Sequence, residues 1–158
     1  MKRLRFENGL LDDVDCRLLE ALTRDARQSV ADLARLVGLS PPSVSERIRR
    51  LEEAGIIEGY TIRLNPLALG LPLAAWLRIR PLPGELQKVA DILRGMPQLT
   101  QCDRITGEDC FLAKAHVRSV ADLEKLIDKI IPHAMTNTSI IQSSPVSPRV
   151  PPIGAQKS

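Results

Sequence analysis

Aromatic residues are scarce: one Trp, one Tyr and two Phe, 3% of 158 residues. Any core must therefore be built from Leu, Ile, Val and Ala, and the scarcity argues against a nucleic-acid surface of stacked rings. Cysteine is rare too, and Cys16, Cys102 and Cys110 are odd in number with no C-x-x-C spacing. Cys16 and Cys110 sit in patterns where a thiol serves as a small apolar filler. His116 and His133 are the only two histidines and complete no recognisable zinc pattern, so neither a metal nor a cofactor is expected. A reducing compartment fits. No apolar run reaches membrane-spanning length, and Met1–Phe6 is followed by no signal-peptide core. The expectation is a soluble, cytoplasmic, nucleoid-associated protein that does not engage a membrane. Charge of one sign is also lacking, with 22 Lys/Arg against 19 Asp/Glu. Residues 1–65 carry 11 of each, and residues 66–158 carry 11 against 8, so the whole +3 lies in the second part. Bulk charge does not identify a DNA-binding half; local arrangement has to.

Three short helical signals come first. Asp12-Asp13 precede Val14, Leu18, Leu19 and Leu22, an apolar stripe with acids in its first turn. Ser29 with Asp32 forms a capping box ahead of Val30, Leu33, Ala34 and Val37, and Gly38 can end that helix in a left-handed conformation. Ser40 and Pro41 open a third helix with Val44, Ile48 and Leu51 inward and Gly55 at its end. Three short helices with one tight glycine turn read as a helix-turn-helix. Residues 57–65 read as a strand, a wing or linker leading out of a first domain that spans 1–65.

The second part alternates. Leu73–Arg80 reads as a strand, Glu85–Leu93 as a helix, and Leu99–Ile105 with Cys110–Val117 as two strands joined around Gly107. Ser119 caps a helix ended by Pro132, and Thr138–Gln142 reads as a last strand. The order βαββαβ is the ferredoxin-like split arrangement, so the fold class is α+β, a (winged) helix-turn-helix followed by a ferredoxin-like domain over 66–146. Such a sheet carries helices on one face, and the natural cover for the other is a second copy. Four prolines between Pro145 and Pro152 mark 147–158 as a disordered tail.

At about 100° per residue, the third helix turns Pro42, Ser45, Glu46 and Arg49 outward, flanked by Ser43 and Arg50. Small polar groups near its N-terminus and cations further along suit a helix lying in a major groove. The candidate DNA-contacting set is Ser40, Pro42, Ser43, Ser45, Glu46, Arg47, Arg49 and Arg50. Arg47 lies only about 60° from the core stripe, so it also reads as an internal ion pair that orients the helix, for instance with Asp25. A charge run of this kind also fits a plain solvated face. Lys2, Arg3 and Arg5 read either as a basic arm or as an ordinary chain terminus.

The stretch from Leu11-Asp12-Asp13-Val14-Asp15 through Asp25-Ala26-Arg27, then Asp32-Leu33-Ala34, Val37-Gly38-Leu39-Ser40, Val44, Arg47-Ile48, Leu51-Glu52, Gly55-Ile56-Ile57 and Gly59-Tyr60, resembles the signature of the Lrp/AsnC (feast/famine) transcription regulators. Residues 11 to 146 carry the resemblance, the first half more specifically. It implies dimers built through the C-terminal sheets, often assembled into octamers, with amino acids or related metabolites as effectors. It also implies an effector site between dimers, near a Gly-x-x-Asp turn and a facing threonine-rich strand. Here those are Ile105, Gly107, Asp109 and Cys110, with Thr136 and Thr138. Cys110 occupies the place of the family's Asp, and Asp109 falls one residue early. The same turn also reads as a plain hairpin.

Two other functions compete. Siroheme decarboxylases resemble this family in architecture, but only His116 and His133 could serve such chemistry and no paired acid/base constellation appears, so no enzyme is expected. A nucleoid-organising protein that wraps DNA differs from a regulator only in the ratio of specific to non-specific affinity.

Overall fold

A computed structural model describes residues 11–154. Lys2, Arg3 and Arg5, and with them the basic-arm reading, lie outside the described residues. Helix α1 spans Asp13–Arg24. Its cap is reciprocal: Asp12 Oδ1 accepts the Asp15 N–H at 2.7 Å, and Asp15 Oδ2 accepts the Asp12 N–H at 3.4 Å. That arrangement satisfies two donors that a helix start leaves without partners. Helix α2 (Val30–Val37) starts at Ser29, whose Oγ accepts the Asp32 N–H at 3.1 Å. It stops at Gly38, whose φ of +74° is left-handed and strained for any side chain. Helix α3 (Pro41–Glu53) has Ser40 as cap and proline in its first turn, as its sequence predicts. Leu18, Leu33 and Val44 meet between the three helices at no more than 1% exposure. Each such burial contributes about 1.5–3 kcal/mol.

Residues 57–65 form no strand. Strand structure is a pairing between segments, and the described residues of this helical region offer no second strand to pair with. Local bonds hold its start instead. The Ile56 and Ile57 N–H groups both donate to the Leu51 carbonyl, at 2.9 and 3.1 Å, and Tyr60 Oη donates to Glu52 Oε1 at 2.8 Å. Burial first, then that carboxylate, pushes the Tyr60 phenol up to about 12. Ile62 and Leu64 stay exposed. The expected wing is therefore absent from the described residues.

The chain divides into two compact units, one running to Ile62 and resuming at Pro148, the other Arg63–Ser147. This differs from the expected division in two ways. The boundary falls ahead of Asn65-Pro66. The tail, expected to be disordered, is placed as far as Gly154: it forms no helix or strand, but Arg149, Val150 and Ile153 line a cleft with Glu20, Thr23 and Arg24 of α1. Proline restricts the unfolded chain, so docking such a segment costs less entropy than its composition suggests.

In the second unit, strand β1 (Leu73–Pro81), helix α4 (Leu86–Arg94), strands β2 (Leu99–Arg104) and β3 (Phe111–Val117), helix α5 (Val120–Asp128) and strand β4 (Ala134–Ile140) follow in order. The sheet order is β2-β3-β1-β4 with every neighbouring pair antiparallel. β4 starts four residues before the expected Thr138. Ala134 and Met135 carry no β-branched signal; pairing with Pro81 and Arg80 recruits them. β3 alternates strictly, with Phe111, Ala113, Ala115 and Val117 buried toward α4 and α5. Trp76, Leu112 and Met135 fall on the opposite parity, a face no helix of this unit covers.

Candidate nucleic-acid interface and effector turn

The outward side of α3 is determined by what its inward side must bury. Val44 and Leu51 are fully buried and Ile48 packs against the same cluster. The helical period then leaves Pro42, Ser43, Ser45, Glu46, Arg49 and Arg50 exposed. Ser40 is spoken for as the cap: its Oγ accepts the Ser43 N–H at 3.4 Å and lies 2.8 Å from Ser43 Oγ. Arg49 Nη2 bonds Glu46 Oε1 at 2.6 Å, and its Nη1 reaches Glu53 one turn on. Glu46, then Glu53, holds the Arg49 guanidinium more firmly protonated than usual, while Arg49 holds the Glu46 carboxyl below its ordinary value. The side chain is thus an extended cation laid along the exposed face.

Arg47 departs from the expected set. It does not share the outward side; its Nη1 donates to Asp12 Oδ2 at 2.6 Å and to Asp15 Oδ1 at 2.8 Å. Asp25 is not its partner; Asp25 bonds the Arg27 N–H at 2.8 Å instead. The Asp15 side chain is only 8% exposed, so removing its cation strands a buried carboxylate, at a cost of about 1–3 kcal/mol. Arg47 is an orienting residue: it fastens α3 to the capping box of α1. Asp12 and Asp15 were missed as functional groups. The available signal was the Asp12-x-x-Asp15 box itself, read together with an arginine just off the core stripe.

At the β2–β3 turn, the Ile105 N–H donates to the Cys110 carbonyl and the Cys110 N–H to the Ile79 carbonyl, both at 3.0 Å. Gly107 has a φ of +110°, a conformation that favours glycine. Cys110 is half-buried and packs against the core. Asp109 lies 3.7 Å from Arg80 Nε, and Glu108 pairs with the same guanidinium. Both turn acids thus already face a cation from β1. Thr136 pairs with Ile79, which pairs with Phe111 on its other side, so turn and threonines share one end of the sheet. β1 runs between them, about 10 Å across two strand spacings, and one protomer does not set them side by side. Thr138, opposite Leu77, repeats the half-buried placement of Thr136. His116 lies on β3 with Nδ1 3.1 Å from Thr100 Oγ1, whereas His133 Nδ1 lies 3.0 Å from Glu85 Oε2. The two histidines have different partners and are not brought together.

Comparison with known proteins places this geometry. An AsnC-type helix-turn-helix domain matches residues 11–52, and the Lrp/AsnC ligand binding domain matches residues 74–151. The chain is 35% identical to the HTH-type transcriptional regulator LrpC of Bacillus subtilis over 133 residues, covering 84% of this chain and 92% of that protein. The solved structure of B. subtilis LrpC superposes with a TM-score of 0.83 at 34% identity, over 87% of this chain and 99% of that one. A feast or famine regulatory protein from Mycobacterium tuberculosis, solved as a complex with L-methionine, superposes with a TM-score of 0.82 at 34% identity, over 89% of this chain and 97% of that one.

Proposed function

The chain belongs to the Lrp/AsnC family of transcription regulators, and from that premise we propose that the exposed side of α3 reads a duplex in the major groove. One observation carries this reading: Arg47 is spent on α1, while Ser43, Ser45, Glu46, Arg49 and Arg50 are left exposed on one side of a buried-core helix. Ser43, Ser45, Glu46 and Arg49 lie near base edges, and Arg50 nearer phosphate. Arg49 must let go of Glu46 or Glu53 to form a bidentate contact with guanine, so the carboxylates bias which base it accepts. Two protomers, joined through the open sheet face around Trp76, Leu112 and Met135, would present two such helices to half-sites one helical turn or a multiple apart. A second copy at the Gly107 turn would complete an effector site with Thr136 and Thr138. An amino-acid effector fits there, and the M. tuberculosis relative was solved as a complex with L-methionine. Its ammonium group would compete with Arg80 for Asp109 and Glu108. The effector acts only through different affinities for different assembly states.

The test is binding of genomic fragments by gel shift across a salt series. Arg49→Ala should weaken specific binding by about tenfold or more while non-specific binding changes little. Arg50→Ala should weaken both classes alike and flatten the salt dependence. If neither substitution alters binding to any fragment, the assigned face is wrong.

A further inference from the structure

A cavity of about 330 Å³ opens at the end of the sheet away from the Gly107 turn. That is the small end of the range for ligand pockets. Its apolar part comes from Leu71, Met96, Val117 and Leu126. Its α5 side is made by Asp122, Lys125, Leu126 and Lys129, spaced i, i+3, i+4 and i+7 and so stacked along one face. Arg118 completes the charged rim and Gln98 adds a carboxamide. The rim holds three cations against one carboxylate. Asp122 is already engaged, by Arg118 Nε at 2.8 Å and by Lys125 Nζ at 3.9 Å. Lys129 has no carboxylate within ion-pair distance among the described residues.

We propose that this cavity binds a small carboxylate with an aliphatic body, its anionic head on Lys125 and Lys129 and its chain against Leu71, Val117 and Leu126. The balance of charge specifies more than an anion. An α-ammonium group placed here would find only Asp122, whose oxygens Arg118 and Lys125 hold, and would meet two lysines. The site therefore prefers a 2-oxo or unsubstituted acid to the matching amino acid. This is the reverse of what the acids Glu108 and Asp109 offer at the turn. Leu71 makes the pocket sensitive to the connecting segment. Its N–H donates to the Pro66 carbonyl at 2.9 Å, closing the turn that leads into β1. A bound chain packed on Leu71 braces that turn.

The proposal stands apart from the DNA reading, and its test needs no DNA. The chain has only two histidines; His116 lines the cavity and His133 does not. Full-length protein labelled with ¹³C-histidine is titrated with 4-methyl-2-oxopentanoate, leucine and inorganic phosphate, and the ring signals are followed by NMR with calorimetry in parallel. The oxo acid should move the His116 signal saturably and leave His133 in place, while leucine and phosphate should move His116 at least tenfold less readily. Lys129→Glu, an exposed substitution that leaves the core alone, should weaken oxo-acid binding by about tenfold, the worth of one charge-assisted contact. An unmoved His116, an equal response to leucine or phosphate, or full affinity in Lys129→Glu would each overturn it.

Discussion

The helix-turn-helix half is built around a cluster of six buried apolar residues, whereas the sheet half has fourteen in one cluster. The smaller half compensates with polar fastenings: a reciprocal cap at Asp12 and Asp15, a second cap at Ser29, and Arg47 crossing from α3 to α1. In the larger half the charged pairs lie at the rim, and the sheet ladder with its two helices supplies the cohesion. The difference fits the two tasks. A reading helix must keep one whole side polar and exposed, which halves what it can bury, so its orientation has to come from directed bonds. Under the proposed assembly, a sheet that pairs with another copy can put both faces into apolar contact.

Core truncation should separate the halves most sharply. Leu18→Ala and Leu77→Ala each remove a side chain at 0% exposure, and each should cost about 2–5 kcal/mol. For the helical half that is most of the stability a domain of its size can hold. Calorimetry of Leu18→Ala should show an early transition lost or strongly lowered, the later one unmoved, and DNA binding abolished. Leu77→Ala should lower the later transition and leave the helical half folded. One transition, shifted equally by both substitutions, would mean the halves do not fold as separate units.

The fastenings rank next. Asp15→Asn leaves the α3 surface untouched but weakens its tie to α1, and should lower the early transition by about 1–3 kcal/mol. DNA affinity measured well below that transition should stay near normal. Arg49→Ala should do the opposite, with little change in melting and a clear loss of specific binding. Should Asp15→Asn strengthen DNA binding at every temperature, the loosened Arg47 acts on the duplex rather than on α1. The caps come third. Ser40→Ala and Ser119→Ala remove the same device from the two halves, each worth about 1 kcal/mol. The helical half should show the larger drop in melting temperature, since a given energy moves a small unit further.

Most of the fold was legible because its signals are local. Asp12, Ser29, Ser40 and Ser119 all cap the helices they precede, and the βαββαβ order follows from alternating patterns and turn residues. What was not legible depends on partners distant in sequence. Residues 57–65 have a strand's composition, but among the described residues no strand pairs with them. Ala134 and Met135 lack it yet join β4, because Pro81 and Arg80 lie alongside. Arg47 could be seen to lie near the core, but which carboxylate it meets depends on how α1 and α3 cross. The cavity beside His116 depends on α5, β3 and Leu71 converging, and no stretch of sequence records that.

The smallest expected effect is in pH dependence, and it distinguishes the halves by where it begins. In the sheet half, burial and then the charge on Lys114 push the His116 imidazole below its ordinary value of 6.5. In the helical half, burial of Asp12 acts upward but is outweighed by the Asp15 N–H and Arg47, which together hold its carboxyl below the ordinary 3.8. Both groups bind a proton less readily folded than unfolded, so both contributions have the same sign. Each is fully present above the unfolded value and is lost as pH falls toward the folded one. The windows differ. Between pH 7 and 5 the later, sheet transition should drift down while the earlier one holds, and below about pH 4 the helical half should follow. His116→Gln should flatten the first drift and Asp12→Asn the second, each without altering the other. Calorimetry from pH 7.5 to 3 measures both, and a helical transition that falls already between pH 7 and 5 would show that its polar fastenings are not what titrates.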